Sequence, residues 1–238
     1  MARLATQIKT LANNFLGLLY PEFCAACNQN LVNQEKVLCT KCLYELPRTY
    51  FHKVPGNPIE EIFWGRVLLE RVTSFYFFQQ GSKYRKLIHK LKYQNQPEIG
   101  IELGKHFAAD LKTEAIFNEI DLIIPVPLHK KKLKMRGYNQ SEMIAQGLAE
   151  ILPAKLDTKS LIRKTFTQTQ TKKNRYERWE NIETVFEVKK PEIIEGKHIL
   201  LVDDVLTTGA TLEGCAQCLL KVKNVKVSIA TLAFTSLQ

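Results

Sequence analysis

The stretch Ile199-Leu200-Leu201-Val202-Asp203-Asp204-Val205-Leu206-Thr207-Thr208-Gly209-Ala210-Thr211 decides the fold. Ile199 to Val202 is a short, continuous apolar run, the pattern of a strand buried on both faces of a parallel sheet. The strand is expected over His198–Val202, followed by a loop and by a helix from about Ala210 to Lys221. A loop at the carboxyl end of a parallel strand is where open α/β sheets bind ligands.

The composition of that loop points to an anion. Thr207, Thr208, Gly209, Ala210 and Thr211 run directly into the helix, so backbone N–H groups and hydroxyls can converge on one phosphate at its N-terminus. Gly209 supplies backbone freedom, and the small residues let a phosphate approach closely. Asp203 and Asp204 are poor phosphate ligands. They are well suited to accept hydrogen bonds from the 2- and 3-hydroxyls of a ribose and to stabilise positive charge developing on its ring. A blander reading makes the acids a turn and a threonine a helix cap. The whole pattern of apolar strand, paired acids and Thr-Thr-Gly is much narrower than that reading requires.

Outward from this loop, strands alternate with helices. Helices are expected over Ser82–Tyr93, Pro97–Leu111 and Asn139–Ile151, with strands at Leu122–Val126 and Lys226–Phe234. Val67–Phe78 reads as a strand or hairpin, and His52–Pro58, with Pro55, Gly56 and Pro58, as a linker. Continuous apolar strands separated by helices imply a mainly parallel sheet covered on both faces. The polar segment Arg163–Asn181 has no period and is long for a compact domain, which marks it as a functional loop or lid.

Cys24-x-x-Cys27 and Cys39-x-x-Cys42 are separated by eleven residues. That spacing lets two tight turns bring four thiolates around one tetrahedral ion, with zinc favoured over an iron–sulfur cluster or a redox pair. Four protein ligands leave no open position, so the ion's work is structural. Cys215 and Cys218 lie one turn apart inside the last helix and read as buried packing groups. Before the first pair, Leu4, Ile8, Leu11, Phe15 and Leu18 recur at helical spacing, giving an amphipathic helix over residues 1–20. Its apolar stripe suits packing on its own protein or lying at a membrane surface.

The 238 residues carry 34 Lys and Arg against 24 Asp and Glu, a formal +10, which suits polyanions or phosphorylated ligands. No apolar run is long enough to span a membrane and no signal-peptide pattern is present, so a cytoplasmic setting is expected, with peripheral membrane association through the first helix as the alternative. Lys130, Lys131, Lys132, Lys134 and Arg136 crowd what reads as a loop after Pro125-Val126-Pro127. Pyrophosphate, a nucleic-acid backbone or plain solvation would each account for them. Lys172, Lys173, Arg175, Tyr176, Arg178 and Trp179 interleave cations with aromatics, a composition fitting single-stranded DNA or an ordinary lid.

The Asp-Asp, Thr-Thr-Gly strand and loop resemble those of the type I phosphoribosyltransferases. Asp121-Leu-Ile-Ile-Pro-Val-Pro-Leu-His129, Arg136-Gly-Tyr-Asn-Gln140 and the spaced set Arg163, Thr167, Gln170, Arg178, Asn181 and Phe186 sharpen the likeness to the ComF family of competence proteins. A cysteine-rich zinc ribbon stands in the same N-terminal place, so the resemblance spans nearly the whole chain. It implies an α/β fold with a type I phosphoribosyltransferase-like, mainly parallel sheet over residues 62–238, behind a small zinc ribbon over residues 21–50. Family members often carry additional ribbon cysteines; four imply a single zinc here.

Carried over by position, the resemblance implies that Asp203 and Asp204 bind the ribose and that Thr207, Thr208, Gly209, Ala210 and Thr211 bind the 5-phosphate of phosphoribosyl pyrophosphate. The loop after Pro127 would face pyrophosphate, with Lys130 and Arg136 as ligands, and Mg²⁺ would bridge pyrophosphate and ribose oxygens. It further implies single-stranded DNA and proteins of the DNA-uptake machinery as partners, in natural transformation. A phosphoribosyltransferase passing ribose 5-phosphate to a base or amine with release of pyrophosphate is the alternative. A zinc-dependent nucleic-acid adaptor with a vestigial pocket is a third reading, which the intact acidic pair and Thr-Thr-Gly loop disfavour.

Overall fold

The structure is a computed structural model that describes residues 22–32, 34–164 and 185–235. The helix expected over residues 1–20 and most of the segment Arg163–Asn181, with Trp179, lie outside the described residues.

Five parallel strands form the sheet: β1 (Arg71–Phe77), β2 (Leu122–Pro125), β3 (Lys155–Leu156), β6 (His198–Leu206) and β7 (Lys226–Phe234), in the order β1-β7-β6-β2-β3. The central strands β6 and β2 are the apolar runs read from the sequence. Ile199, Leu200, Leu201, Val202, Ile123 and Ile124 are all buried, which requires cover on both faces. Helices α3 (Arg85–Tyr93), α4 (Glu98–Leu111) and α7 (Gln140–Ala149) cover one face; α9 (Ala210–Leu220) covers the other. The remaining pair, β4 (Leu161–Arg163) and β5 (Phe186–Val188), is antiparallel.

Three expectations are corrected. β6 does not end at Val202; it continues to Leu206 because β7 goes on pairing with it, Asp203 opposite Thr231 and Leu206 opposite Phe234. The acidic pair therefore stands on a strand, not in a loop. The lysine run is a helix, α6 (Lys130–Arg136), started by His129, whose ring nitrogen accepts from the Lys131 N–H, and stopped by Gly137 at φ 81°. The stretch read as a linker packs on the sheet. His52 and Asn57 are buried, and the Asn57 amide caps α2 (Pro58–Glu61) while donating to the Val72 carbonyl of β1 at 3.0 Å. Val67–Phe78 supplies a single strand that begins at Arg71.

Around the cysteines, Cys39 caps the short helix α1 (Thr40–Tyr44). This region shares its core with the sheet. Cys24, Cys39, Cys42 and Leu46 are buried in one cluster with Phe75, Leu87, Leu91 and Phe107, and the Tyr84 hydroxyl donates to the Cys42 carbonyl at 2.9 Å.

Candidate functional site

The chain leaves β2 toward β3 on one side and leaves β6 toward β7 on the other. The two departing segments diverge, opening a crevice between the carboxyl ends of β2 and β6, the place where α/β sheets bind ligands. β2 stops at Pro125, its last link to β6 being the Val126 N–H donated to the Val202 carbonyl at 2.8 Å. Residues 203–206 of β6 overhang that end, paired only with β7. Asp203 and Asp204 are thus the first residues of β6 past its β2 neighbour.

Each acid is held differently. The Asp203 carboxylate accepts from the Ser141 hydroxyl at 2.8 Å and from the Asp204 N–H at 2.8 Å. Burial, and next the charge of Asp204, push its carboxyl up to about 7 despite those bonds. Asp204 pairs with the Lys92 ammonium at 2.9 Å, both side chains mostly buried. The Tyr76 hydroxyl, fully buried on β1, has no hydrogen-bond partner among the described residues; burial, and then the Asp204 charge, hold it protonated well above the usual tyrosine range.

Past Leu206 the chain turns through exposed Thr207 and Thr208 to Gly209 at φ 76° and enters α9 with exposed Ala210 and Thr211. No side chain caps this helix. Its first hydrogen bond within the turn is the Glu213 N–H to the Gly209 carbonyl at 2.8 Å, so the N–H groups of Ala210, Thr211 and Leu212 remain free for an anion. Gly209 is required twice over. Its backbone is left-handed, and a Cβ there would stand 2.9 Å from the Phe63 ring.

The Arg136–Gln140 motif is the scaffold of the crevice. Arg136 donates to the Gln140 carboxamide at 2.6 Å and lies over the Tyr93 ring, 5.3 Å from its centroid. Tyr138 donates to the Leu91 carbonyl, and Asn139 both donates to the Val126 carbonyl at 3.0 Å and caps α7. Consecutive residues at the end of α3 therefore meet Tyr138, Asp204 and Arg136. Lys130 stands apart. Among the described residues no hydrogen bond or ion pair joins it to Thr207–Thr211, although α6 starts from the same edge of the sheet. Of the spaced set, Arg163 and Phe186 are described, and the guanidinium lies over the ring at 5.5 Å.

Lys92 and Ser141 were missed in the sequence. Lys92 is one of five cations between Lys83 and Lys92, and Ser141 looks like an ordinary first-turn residue. Only the crossing of α3 and α7 over the end of β6 singles them out.

The ribbon cysteines do converge. The sulfurs of Cys24, Cys27, Cys39 and Cys42 all lie within 4.8 Å of one another, and Cys27 and Cys39 are 3.7 Å apart. A tetrahedron of metal–sulfur bonds of about 2.3 Å has edges of about 3.8 Å, so the donor set fits one such ion. Burial raises the Cys24 thiol, but N–H groups of Cys27, Cys39 and Ala26 outweigh it and bring the group down to about 6; burial and the neighbouring sulfurs push Cys42 up to about 12. Cys215 is buried in the core and Cys218 partly so, apart from this cluster, as packing groups should be.

A sequence model of the family described as Phosphoribosyl transferase domain matches residues 138–236. The chain is 31% identical over 209 residues to DNA utilization protein YhgH of Salmonella typhimurium strain LT2, covering 87% of each chain. It is 29% identical over 217 residues to Competence protein ComFC of Bacillus subtilis strain 168, covering 85% of this chain and 86% of that one. To Competence protein F of Haemophilus influenzae it is 26% identical over 227 residues, covering 88% and 96%. No described helix is long and apolar enough to cross a membrane.

Proposed function

The chain belongs to the ComF family, and on that premise we propose that it binds phosphoribosyl pyrophosphate with Mg²⁺ in the crevice between β2 and β6, and single-stranded DNA on its basic surface, in the handling of incoming DNA. One observation carries the ligand reading: the acidic pair overhangs the end of β2 while the uncapped first turn of α9 stands directly after it. Asp203 and Asp204 take the ribose hydroxyls, and Thr207, Thr208, Gly209, Ala210 and Thr211 take the 5-phosphate through N–H groups and hydroxyls. Mg²⁺ arrives with the pyrophosphate, keeping most of its water.

Cys24, Cys27, Cys39 and Cys42 hold one zinc ion whose role is structural, because all four positions are filled by protein. The DNA reading rests on two supports. Helix α6 buries none of its residues and exposes Lys130, Lys131, Lys132 and Lys134 at the sheet edge where the crevice opens. The relatives bear the names competence protein and DNA utilization protein.

Calorimetric titration of zinc-loaded protein with phosphoribosyl pyrophosphate and Mg²⁺ tests the ligand reading. Binding by wild type that is lost in Asp203→Ala and in Thr208→Ala is expected. Heat changes that are absent in wild type, or unaltered in both variants, would remove the ligand from the crevice.

A further inference from the structure

Asp204 is already engaged in the free protein. Lys92, from the last turn of α3, places its ammonium 2.9 Å from the carboxylate, and the two side chains are 21% and 13% exposed. The Tyr76 hydroxyl, which feels the Asp204 charge, is a neutral phenol without a partner among the described residues. Among the described ion pairs Lys92 is the one cation at the acidic pair, and its charge acts on Asp203 as well.

A ribose hydroxyl is a neutral donor. It cannot displace an ammonium from a charge-assisted, mostly buried pair unless that ammonium finds another anion, because leaving either charge uncompensated costs more than a neutral hydrogen bond returns. A ligand carrying both a vicinal diol and an anionic group on the neighbouring carbon resolves this. The diol takes Asp204, and the ammonium moves to the anion. Lysine suits the exchange, being a point charge on a flexible four-carbon stem. The end of α3 is meanwhile fixed by Tyr138 on the Leu91 carbonyl and by Arg136 on Tyr93, so the stem swings from a held base.

We propose that Lys92 is the specificity-determining residue of the crevice, held by Asp204 in the free protein and transferred on binding to the diphosphate at C1 of the ribose, so that a 1-diphosphate is selected over a ribose 5-phosphate with a free C1 hydroxyl. This rests on the ligand reading above and adds the group that discriminates.

The test compares wild type, Lys92→Met and Lys92→Arg in calorimetric titrations with phosphoribosyl pyrophosphate and, separately, ribose 5-phosphate, at fixed saturating Mg²⁺, with melting curves to show that each variant is folded. A charged-group hydrogen bond lost at the diphosphate predicts that Lys92→Met weakens phosphoribosyl pyrophosphate binding about ten- to a hundredfold. Ribose 5-phosphate affinity should not fall, because its diol no longer has to displace the ammonium from Asp204, with Lys92→Arg restoring much of the preference. An equal loss for both ligands would make Lys92 a support for Asp204 alone and overturn the proposal, as would no loss for either. Wild type that binds neither ligand overturns the ligand reading itself, a result distinct from those.

Discussion

The Ser141 hydroxyl reaches across 62 residues of sequence to donate to the Asp203 carboxylate at 2.8 Å, tying the first turn of α7 to the overhanging end of β6. The bond lowers the affinity of Asp203 for a proton, yet burial and the neighbouring Asp204 charge prevail and leave the group near 7. In the unfolded chain the same carboxyl titrates near 4.

A dependence of stability on pH follows from that difference. Between about pH 4 and 7 the folded protein keeps a proton that the unfolded chain has lost, so the contribution of Asp203 to stability declines as pH rises through this window and is flat above it. Asp203→Asn keeps the shape and removes the titration. The melting temperature of the variant should gain on wild type by roughly 5 °C between pH 5 and pH 8, at about 1.4 kcal/mol per pKa unit and about 2–4 °C per kcal/mol in a chain of this size. Taking the difference cancels the histidines His52, His106 and His198, which burial shifts the other way. A gap that is constant with pH would mean that Asp203 is ionised throughout.

Gly209→Ala should be costly for both fold and ligand. The new Cβ meets the Phe63 ring at 2.9 Å in a left-handed backbone. Strain of this kind costs about 1–3 kcal/mol, which melting would register as a drop of several degrees. Trimming the ring in Gly209→Ala/Phe63→Leu should recover the steric part but not the conformational part. Full recovery would show that the backbone at 209 can relax away from positive φ.

The buried strand, the two cysteine pairs and the acid-threonine-glycine order were legible in the sequence because each is a local pattern with one physical reading. The extent of β6 was not. Asp203 and Asp204 have no strand signature of their own, and only pairing with β7 extends the strand past Val202. Likewise, the helical state of Lys130–Arg136 depends on His129 and Gly137 at its ends, while five cations in seven residues read first as a loop. Lys92 and Ser141 carry no motif at all; they matter through which strand end their helices cross.

Removal of the metal proposed for the four ribbon cysteines should weaken the whole molecule rather than the ribbon alone. Cys24, Cys39 and Cys42 are buried in the same cluster as Phe75 and Leu91, Tyr84 bonds to the Cys42 carbonyl, and Lys83 pairs with Glu45 at 2.7 Å. Four clustered thiols, three of them buried, left without an ion lose the bonds that organise two turns of chain. Chelation, or Cys27→Ser, should lower a single cooperative melting transition by at least about 5 °C, since each kcal/mol moves a chain of this length by about 2–4 °C. Separate transitions, one for the ribbon and one for an unshifted sheet domain, would show that the shared core is not energetically coupled.

The exposed lysines of α6 give the last expectation. Lys130, Lys131, Lys132 and Lys134 occupy a seven-residue helix with no buried side chain, so replacing them with alanine should leave the melting temperature nearly unchanged. If they neutralise phosphates of single-stranded DNA, each contact releases a counterion, and the logarithm of affinity falls with the logarithm of salt with a slope of about −0.7 per phosphate. Replacing Lys130, Lys131 and Lys132 together should therefore flatten the salt slope by about 2 and weaken binding of a labelled oligonucleotide at least tenfold at low salt, in anisotropy titrations across a salt series. Phosphoribosyl pyrophosphate affinity measured on the same variant distinguishes the two anions competing for this helix. If the nucleotide slope is unmoved while phosphoribosyl pyrophosphate binding falls, the lysines serve the crevice and the DNA path lies elsewhere on the surface.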